Sequence, residues 1–452
     1  MTVTPIRLRC AGCGAAPAPD HPYPFRCPNA GAGDVDHVLA RQIDPIHLQY
    51  PADATETQPF ERYRGLLHSY HRARAGGLSD GQYAEIVHRL DDAVRRVEGH
   101  GFEVTPLVRD AALSEGLGFS PTGGVFVKDE TGNVAGSHKG RHLLGVLLHL
   151  EVSEALGLSD PGRRPDLAIA SCGNAALAAA VLARAGDRRL RVFVPTDADP
   201  GTVARLRDLG ADIVVCPRTP GRVGDPAYAR LREAIAAGAL PFTCQGNENG
   251  LAIEGGHTLG YEMVSALVAA AARLDDLVIQ VGGGALASAC IAAFDDGVTL
   301  RALARGPRVH TVQTAGAHPL ERAYHRVVRD LPEAWTADAI DAELRNAAAH
   351  RSRYMWPWET EPRSIATGIL DDETYDWLAV VRGMVRSGGR PVVASEDRLA
   401  AAHALGRGAG YDVDPTGTSG LAGLLELRAA GTIGPDASVG VLFTGLQRDA
   451  SR

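Results

Sequence analysis

Long basic runs are missing from this 452-residue chain, whose formal net charge is −8. Its arginines are interspersed with acids and read as solvated faces, so nucleic-acid binding is not expected. Long apolar runs are missing too. The longest apolar stretch, Leu277 to Phe294, is broken by Gln280 and three glycines and flanked by aspartates. It reads as strand, loop and helix, not as a membrane span. No apolar signal segment stands at the N-terminus, and no repeat or low-complexity tract is evident. The hydrophobic share of 45% and charged share of 22% are those of an ordinary soluble globular protein. This length can bury one large or two medium cores.

Cysteine is sparse, with seven residues in two sets. Cys172, Cys216, Cys244 and Cys290 are scattered through apolar segments and fit reduced thiols in a cytoplasm. Cys10, Cys13 and Cys27 form a C-x₂-C plus a third cysteine in a Pro- and Gly-rich segment. His37, His21 or Asp36 could complete a tetrahedral zinc site there. A ribbon without metal is the other reading.

Four separated segments carry the chemistry. Lys139 follows a Gly-Ser-His turn and precedes an apolar stretch, Leu143 to Leu150, that reads as a helix. A lysine at a loop-to-helix junction sits near the positive end of the helix dipole, which disfavours its charged form and frees the amine as a nucleophile. Taken alone it could equally be a solvated lysine at a helix start. Ser171-Cys172-Gly173-Asn174-Ala175 lies between a short apolar run and an alanine-rich helix, Ala176 to Ala185. Its backbone N–H groups can face an anion, although a simple helix cap by Ser171 or Asn174 reads as well. Gly282-Gly283-Gly284-Ala285 follows the strand Leu277–Val281 and opens a helix, Ala287 to Phe294. It lacks the G-x-G-x-x-G spacing, and no G-K-[ST] follows, so a mononucleotide-type phosphate fits better than NAD or ATP. A glycine turn kept only for packing is the alternative. Val439 to Thr444 reads as a buried strand ending in a hydroxyl and Gly445, and such strand ends are where open α/β sheets bind ligands, although taken alone a plain strand terminus is the better reading.

Elsewhere, Phe60 to Ala75 and Tyr83 to Glu98 carry apolar residues at helical spacing. Val192–Pro195, the helix Thr202–Leu209 and the strand Ile213–Cys216 make a βαβ crossover, hence a parallel sheet and an α/β protein. Residues 330–365, with Trp335, Trp356 and Trp358, match no motif; an interface and core packing are equal readings.

In this order, the segments resemble the tryptophan-synthase-β-like (fold type II) family of pyridoxal-phosphate enzymes, which includes threonine synthase, threonine and serine dehydratases and cysteine synthase. The resemblance spans roughly residues 100 to 447. It also includes Thr105-Pro106-Leu107, the segment Ile253 to Glu262, and Asp414-Pro415-Thr416-Gly417. It implies two three-layer α/β domains with parallel-type sheets. Residues 1–50 would form a ribbon-like segment, 51–142 and 251–452 a large cofactor-binding domain, and 143–250 a small mobile domain.

The resemblance implies roles as well. Lys139 would form the Schiff base and shuttle the substrate α-proton. Asn174 would meet the cofactor's phenolic oxygen, and Ser171, Cys172, Gly173, Asn174 and Ala175 would hold the substrate carboxylate. Gly282, Gly283, Gly284 and Ala285 would cradle the phosphate. Thr444 would meet the pyridine nitrogen, where a neutral hydroxyl favours chemistry at the β-carbon over transamination. The Cys10, Cys13, Cys27 and His37 set looks like the zinc ribbon that some threonine synthases carry, with Ala30 where a fourth cysteine would stand. Departures include His138 before the lysine, Gly140 after it, Ala285 for a fourth glycine and Asp414 for a glutamate. His138 reads as a wall residue or as a second acid–base group.

The expected activity is a lyase that eliminates a β-hydroxy or other β-substituent from an amino acid. A threonine-synthase-like phospho-lyase and a β-replacement synthase are the alternatives. A PLP-binding protein with a lost activity is the non-enzyme reading. The expected partners are a small amino-acid substrate and a second copy of the chain, without nucleic acid or membrane.

Overall fold

The computed structural model describes residues 4–218, 224–333 and 335–448. Three sheets organise them. Strands β1 (Ile6–Cys10) and β2 (Leu39–Ile43) pair antiparallel as the N-terminal ribbon. The strands β3 (Leu107–Asp110) and β4 (Gly124–Asp129) begin the largest sheet. A four-stranded parallel sheet then follows from β5 (Leu167–Ala170), β6 (Leu190–Val194), β7 (Asp212–Val215) and β8 (Leu240–Pro241), in the order β7-β6-β5-β8. The large sheet is completed by β9 (Asp276–Gln280), β10 (Arg308–Thr314), β11 (Pro391–Ala394) and β12 (Ser438–Phe443), in the order β11-β10-β9-β12-β4-β3. Only the β3–β4 pair in it is antiparallel.

β9 is buried at every position and β12 at all but its first. Near-continuous apolar strands are what a parallel sheet covered on both faces demands. The expected α/β class is therefore the observed one, and the βαβ unit from Val192 to Cys216 is present as β6, a helix and β7.

Two helical expectations need correction. The segment Phe60 to Ala75 is not one helix: Leu67 is extended (φ −108°, ψ 135°) between a 3₁₀ turn, Arg64–Leu66, and the helix His68–Ala75. At the break the His68 N–H donates to Glu254 Oε1 at 2.6 Å, a tertiary bond that outweighs the local periodicity. The helix expected after Lys139 in fact begins at Lys139 and runs to Ala155. It is buried from Gly140 to Ser153 and meets the helix Leu251–Ala269 backbone to backbone. A Cβ on Gly145 would lie 2.7 Å from Gly255 Cα, so only glycine permits this approach.

Two tryptophans of the aromatic insertion make contacts within the chain. Arg322 lies 3.6 Å from the Trp356 ring centroid and 5.3 Å from that of Trp358, and the two indoles clamp its guanidinium. Trp335 is exposed. No helix among the described residues is long and apolar enough to cross a membrane.

Four charges are buried where the sheet and these helices meet. Lys128 and Glu130 lie on or just after β4, Arg141 on the helix of Lys139, and Glu262 on Leu251–Ala269. Arg141 Nε lies 2.8 Å from Glu130 Oε2, Arg141 Nη1 2.5 Å from Glu262 Oε1, and Lys128 Nζ 2.5 Å from Glu262 Oε2. Asn133 Nδ2 donates to Glu130 at 2.7 Å, and the Thr105 N–H donates to Glu262 at 3.0 Å. Burial alone would raise the Glu130 carboxyl, but Arg141 and Lys128 more than offset this and hold it below its ordinary range. Removing one partner leaves an unpaired buried charge. Glu262→Gln is expected to cost about 3–5 kcal/mol, measurable by urea unfolding. A loss under about 1 kcal/mol would mean that the network relaxes around the change.

Candidate active site

The chemistry-bearing residues lie just past the C-terminal ends of strands from both large sheets. β4 leads through Glu130 to Lys139, β5 into Ser171–Ala175, β9 into Gly282–Gly284, and β12 into Thr444. Side chains there are free of the ladder, and the helices that follow point their N-termini inward.

Lys139 is the first residue of its helix and half-buried. Its amine has no ion-pair or hydrogen-bond partner among the described residues, which leaves it available. Its charge acts on His138, Cys244, Asp371 and Asp376, so these groups surround it. Just before it, Ser137 bridges Gly445, and the Leu446 N–H donates to Gly136 O at 2.8 Å. These bonds join the lysine loop to the end of β12.

Thr444 is buried at the end of β12, and its orientation can be argued. Gln280 Nε2 lies 3.1 Å from Gly417 O and 3.0 Å from Leu442 O. Two carbonyls require the amide nitrogen there, so Gln280 also donates to Thr444 Oγ1, at 2.7 Å. The threonine hydroxyl accepts that bond and keeps its own proton for another acceptor. His138 is buried, and burial together with Lys139 holds it well below its usual pKa, hence neutral. Its Nδ1 lies 3.4 Å from Thr444 O, and a carbonyl can only accept, so Nδ1 carries the proton. His138 is thus a buried, neutral imidazole tied to the end of β12.

The helix Asn174–Ala185 has no side-chain cap at Gly173, so its first N–H groups stay free. Ser171, Cys172 and Ala175 are half-buried and Gly173 is exposed, which leaves this loop open to a small ligand. Asn174 is held by Arg448, which donates to its Oδ1. Arg448 also donates to Ala135 O at 2.7 Å. Arg448 was not foreseen from the sequence, where it is one arginine in a polar C-terminal tail. Cys172 feels Asp197, Asp225 and Asp199, which with burial raise its thiol.

Gly284, at φ +98°, is the N-cap of the helix Ala285–Thr299 and again offers no side-chain cap. Its neighbours come from a segment that the sequence left unassigned. Thr374 Oγ1 donates to Gly282 O at 3.0 Å, and the Asp376 N–H donates to Gly283 O at 3.0 Å. A Cβ on Gly282 would lie 2.3 Å from Asp371 Oδ2, and one on Gly283 2.9 Å from the Tyr375 ring. The readable signal was the acid pair Asp371-Asp372 in a turn-rich stretch. Asp371 is pushed up to about 6 by burial, against the pull of Lys139, and its carboxylate lies against Gly282 and Gly283.

The ribbon brings Cys10, Cys13, Cys27 and His37 together, with their ligand atoms all within 4.8 Å of one another. Cys13 and Cys27 sulfurs are 3.5 Å apart, and Cys10 Sγ is 3.7 Å from His37 Nδ1. Tetrahedral zinc–thiolate bonds of about 2.3 Å imply donor separations of about 3.7 Å. His37 Nε2 lies 3.1 Å from Ala32 O and must carry the proton, which leaves the Nδ1 lone pair aimed at the sulfurs. Of the other candidates, His21 Nδ1 takes the Tyr23 N–H and Asp36 is bound to Trp377, so His37 is the fourth member.

Residues 100–445 match the model of the pyridoxal-phosphate dependent enzyme family. This chain belongs to that family. Members resembling it include threonine synthase of Mycobacterium bovis, 26% identical over 342 residues that cover 75% of this chain and 80% of the relative. Threonine synthase of Methanocaldococcus jannaschii is 24% identical over 343 residues, 75% and 74% of the two chains. Among solved structures, the T.th. threonine deaminase superposes with a TM-score of 0.56 at 22% identity, covering 81% of this chain and 99% of its own. Diaminopropionate ammonia lyase of Escherichia coli gives 0.58 at 17%, covering 82% and 89%.

The residues present fit pyridoxal phosphate. The unpaired Lys139 amine suits its aldehyde, the uncapped amides of Gly284 and Ala285 suit its phosphate, and the free Thr444 proton suits its ring nitrogen. Asp371, against the glycine loop, opposes the phosphate when ionised. Protonation below about pH 6 removes that opposition, so inorganic phosphate is expected to raise the Tm of cofactor-free protein more at pH 5.5 than at pH 8. Asp371→Asn should show the larger rise at both, and an equal rise in wild type and variant would remove Asp371 from the cradle.

Proposed function

We propose that the chain is a lyase that removes the β-substituent of a β-hydroxy or similar amino acid, giving a keto acid and ammonia. The observation that carries this reading is the Gln280–Thr444 pair, which presents a neutral hydroxyl, not a carboxylate, to the ring nitrogen. When bound, pyridoxal phosphate supplies an electron sink for the substrate's Cα–H bond electrons, and a neutral partner keeps that sink modest. The uncapped N–H groups of Ser171–Ala175 hold the substrate carboxylate. Lys139 Nζ takes the proton from Cα, and the β-substituent departs with its bonding electron pair. The enamine released in this way tautomerises and takes up water to give the keto acid and ammonia. Segment 143–250, which carries the carboxylate loop, acts as the smaller mobile domain that closes over the substrate.

A phospho-lyase of the threonine-synthase kind is the second reading, favoured by the threonine synthases at 24–27% identity. It needs cations around the substrate's phosphate. The carboxylates of Asp197, Asp199 and Asp225 close to Cys172 support the elimination instead.

The test pairs two assays on the purified enzyme. Ammonia release from serine, threonine or another β-substituted amino acid, without phosphate release from O-phosphohomoserine, supports the lyase; the reverse result selects the phospho-lyase. Lys139→Ala should abolish both the visible absorbance of the covalently held cofactor and turnover.

For the ribbon, the reading is one structural zinc per chain, held by Cys10, Cys13, Cys27 and His37. Metal analysis should find about one zinc per chain in wild type and none in Cys27→Ser, with the ribbon loosened. Seven free thiols suit a reducing cytoplasm, and the working form is taken as a homodimer.

A further inference from the structure

A cavity of about 240 Å³ lies behind the phosphate loop, closed on one side by the N-terminal ribbon. Its walls are largely aliphatic, including Leu39, Ile253, Ile291 and Leu378, and Asp376 and Arg382 also face it. Five carboxylates line it, and most are spoken for. Asp36 accepts from Trp377 Nε1 at 3.1 Å and lies 3.3 Å from Arg351. Glu254 accepts the His68 N–H, and Asp296 is held by Arg41 and by Tyr261 at 2.5 Å. Asp295 is pushed up to about 6 by burial and by Asp296, against Arg386 and Arg382. Asp376 feels Lys139 but has no hydrogen-bond or ion-pair partner among the described residues. It is 2% exposed, and both carboxylate oxygens are buried without a hydrogen bond. The Gly246 N–H approaches it but not in hydrogen-bonding geometry. An unpaired carboxylate in an aliphatic cavity is a costly arrangement that a cation of matching shape would relieve.

The same residue touches the cofactor loop. Its N–H holds Gly283 O, and a Cβ on Gly284 would lie 3.1 Å from Asp376 Cβ. Burial and the nearby Asp36 push this carboxyl up to about 8, so it carries a full negative charge only above that pH; there it repels the phosphate that the loop is built to hold, and a bound cation cancels that repulsion.

We propose that this cavity binds a small aliphatic ammonium ion through Asp376, and that its occupation strengthens the hold of Gly282–Gly284 on the phosphate of the cofactor. The two ligands then help each other by reciprocal coupling. Shape and charge together define the class: the apolar walls select against bare metal ions, and the carboxylate selects against neutral hydrocarbons.

The probe is triethylammonium, a tertiary cation that cannot form an imine with the cofactor's aldehyde. It is titrated calorimetrically at pH 9, where Asp376 is ionised, into the full chain, with and without cofactor, against sodium chloride at matched ionic strength. One saturable site per chain is expected, weakened at least about tenfold in Asp376→Asn by loss of a charged hydrogen bond. Ala292→Leu, which fills the cavity from its rim, should abolish binding while the protein keeps its circular dichroism. Cofactor dissociation, followed by visible absorbance, should slow several-fold when triethylammonium is present. In Asp376→Asn it should be slow from the start and indifferent to the ion. No saturable binding, equal binding by Asp376→Asn, the same response to sodium, or unchanged cofactor dissociation would each overturn the proposal. None of these readouts depends on which amino acid the enzyme consumes.

Discussion

The buried quartet of Lys128, Glu130, Arg141 and Glu262 is the constraint on which the active site rests. Each member comes from a different place: a central strand, the loop after it, the helix that starts at Lys139, and the helix that packs across it. Arg141 stands two residues beyond Lys139, so the bonds that fix its guanidinium also fix the first turn that carries the lysine. Two cations facing two anions give a nearly neutral cluster, and Thr105, Asn133 and Thr258 satisfy further donors and acceptors. Such a cluster adds little net stability over an apolar core, but it accepts very few alternative geometries. The site inherits that precision.

A second set of polar contacts ties the N-terminal ribbon to the body. Arg41 on β2 reaches Tyr261 OH at 2.8 Å and Glu254 at 3.8 Å, and Asp36 reaches Trp377 and Arg351. Backbone contacts repeat the pattern, since the Gly250 N–H donates to Phe25 O and Arg72 donates to Pro19 O and His21 O. The ribbon is therefore packed against the catalytic body, not appended to it. Its cysteine–histidine cluster organises a segment whose far side walls the cavity behind the phosphate loop. Cysteine–histidine cluster, ribbon and glycine loop are linked through adjacent packing, which gives the ribbon a structural task even without chemistry of its own.

Much of this was legible in the sequence because it is local. A glycine run after an apolar strand, a small-residue turn before an alanine helix, and a lysine at a helix start each encode their structure within a few residues. Lys139, Asn174, Gly282–Gly284 and Thr444 meet where those local signals place them, past strand ends. Helix boundaries were less legible where a distant partner intervenes: Glu254 takes the His68 N–H and breaks a periodic stretch near Leu67. The charged quartet was hidden in a different way. Its residues are far apart in sequence, and only their odd placement among apolar neighbours hints at burial.

The acidic groups around the glycine loop and around Cys172 lie in segments with no periodicity to read. Asp371, Thr374, Tyr375 and Asp376 stand on turns whose position is set by the whole insertion before them, including the clamp of Arg322 by two indoles. Asp197, Asp199 and Asp225 reach the carboxylate loop from separate turns of the smaller sheet. A carboxylate in a loop has the same appearance in a sequence whether it is solvated or aimed at a cofactor. Only the fold distinguishes them, by setting how much water each keeps and which charges it faces. The strand-end motifs are thus legible as local signals, while the loop carboxylates take their electrostatic meaning only from the fold.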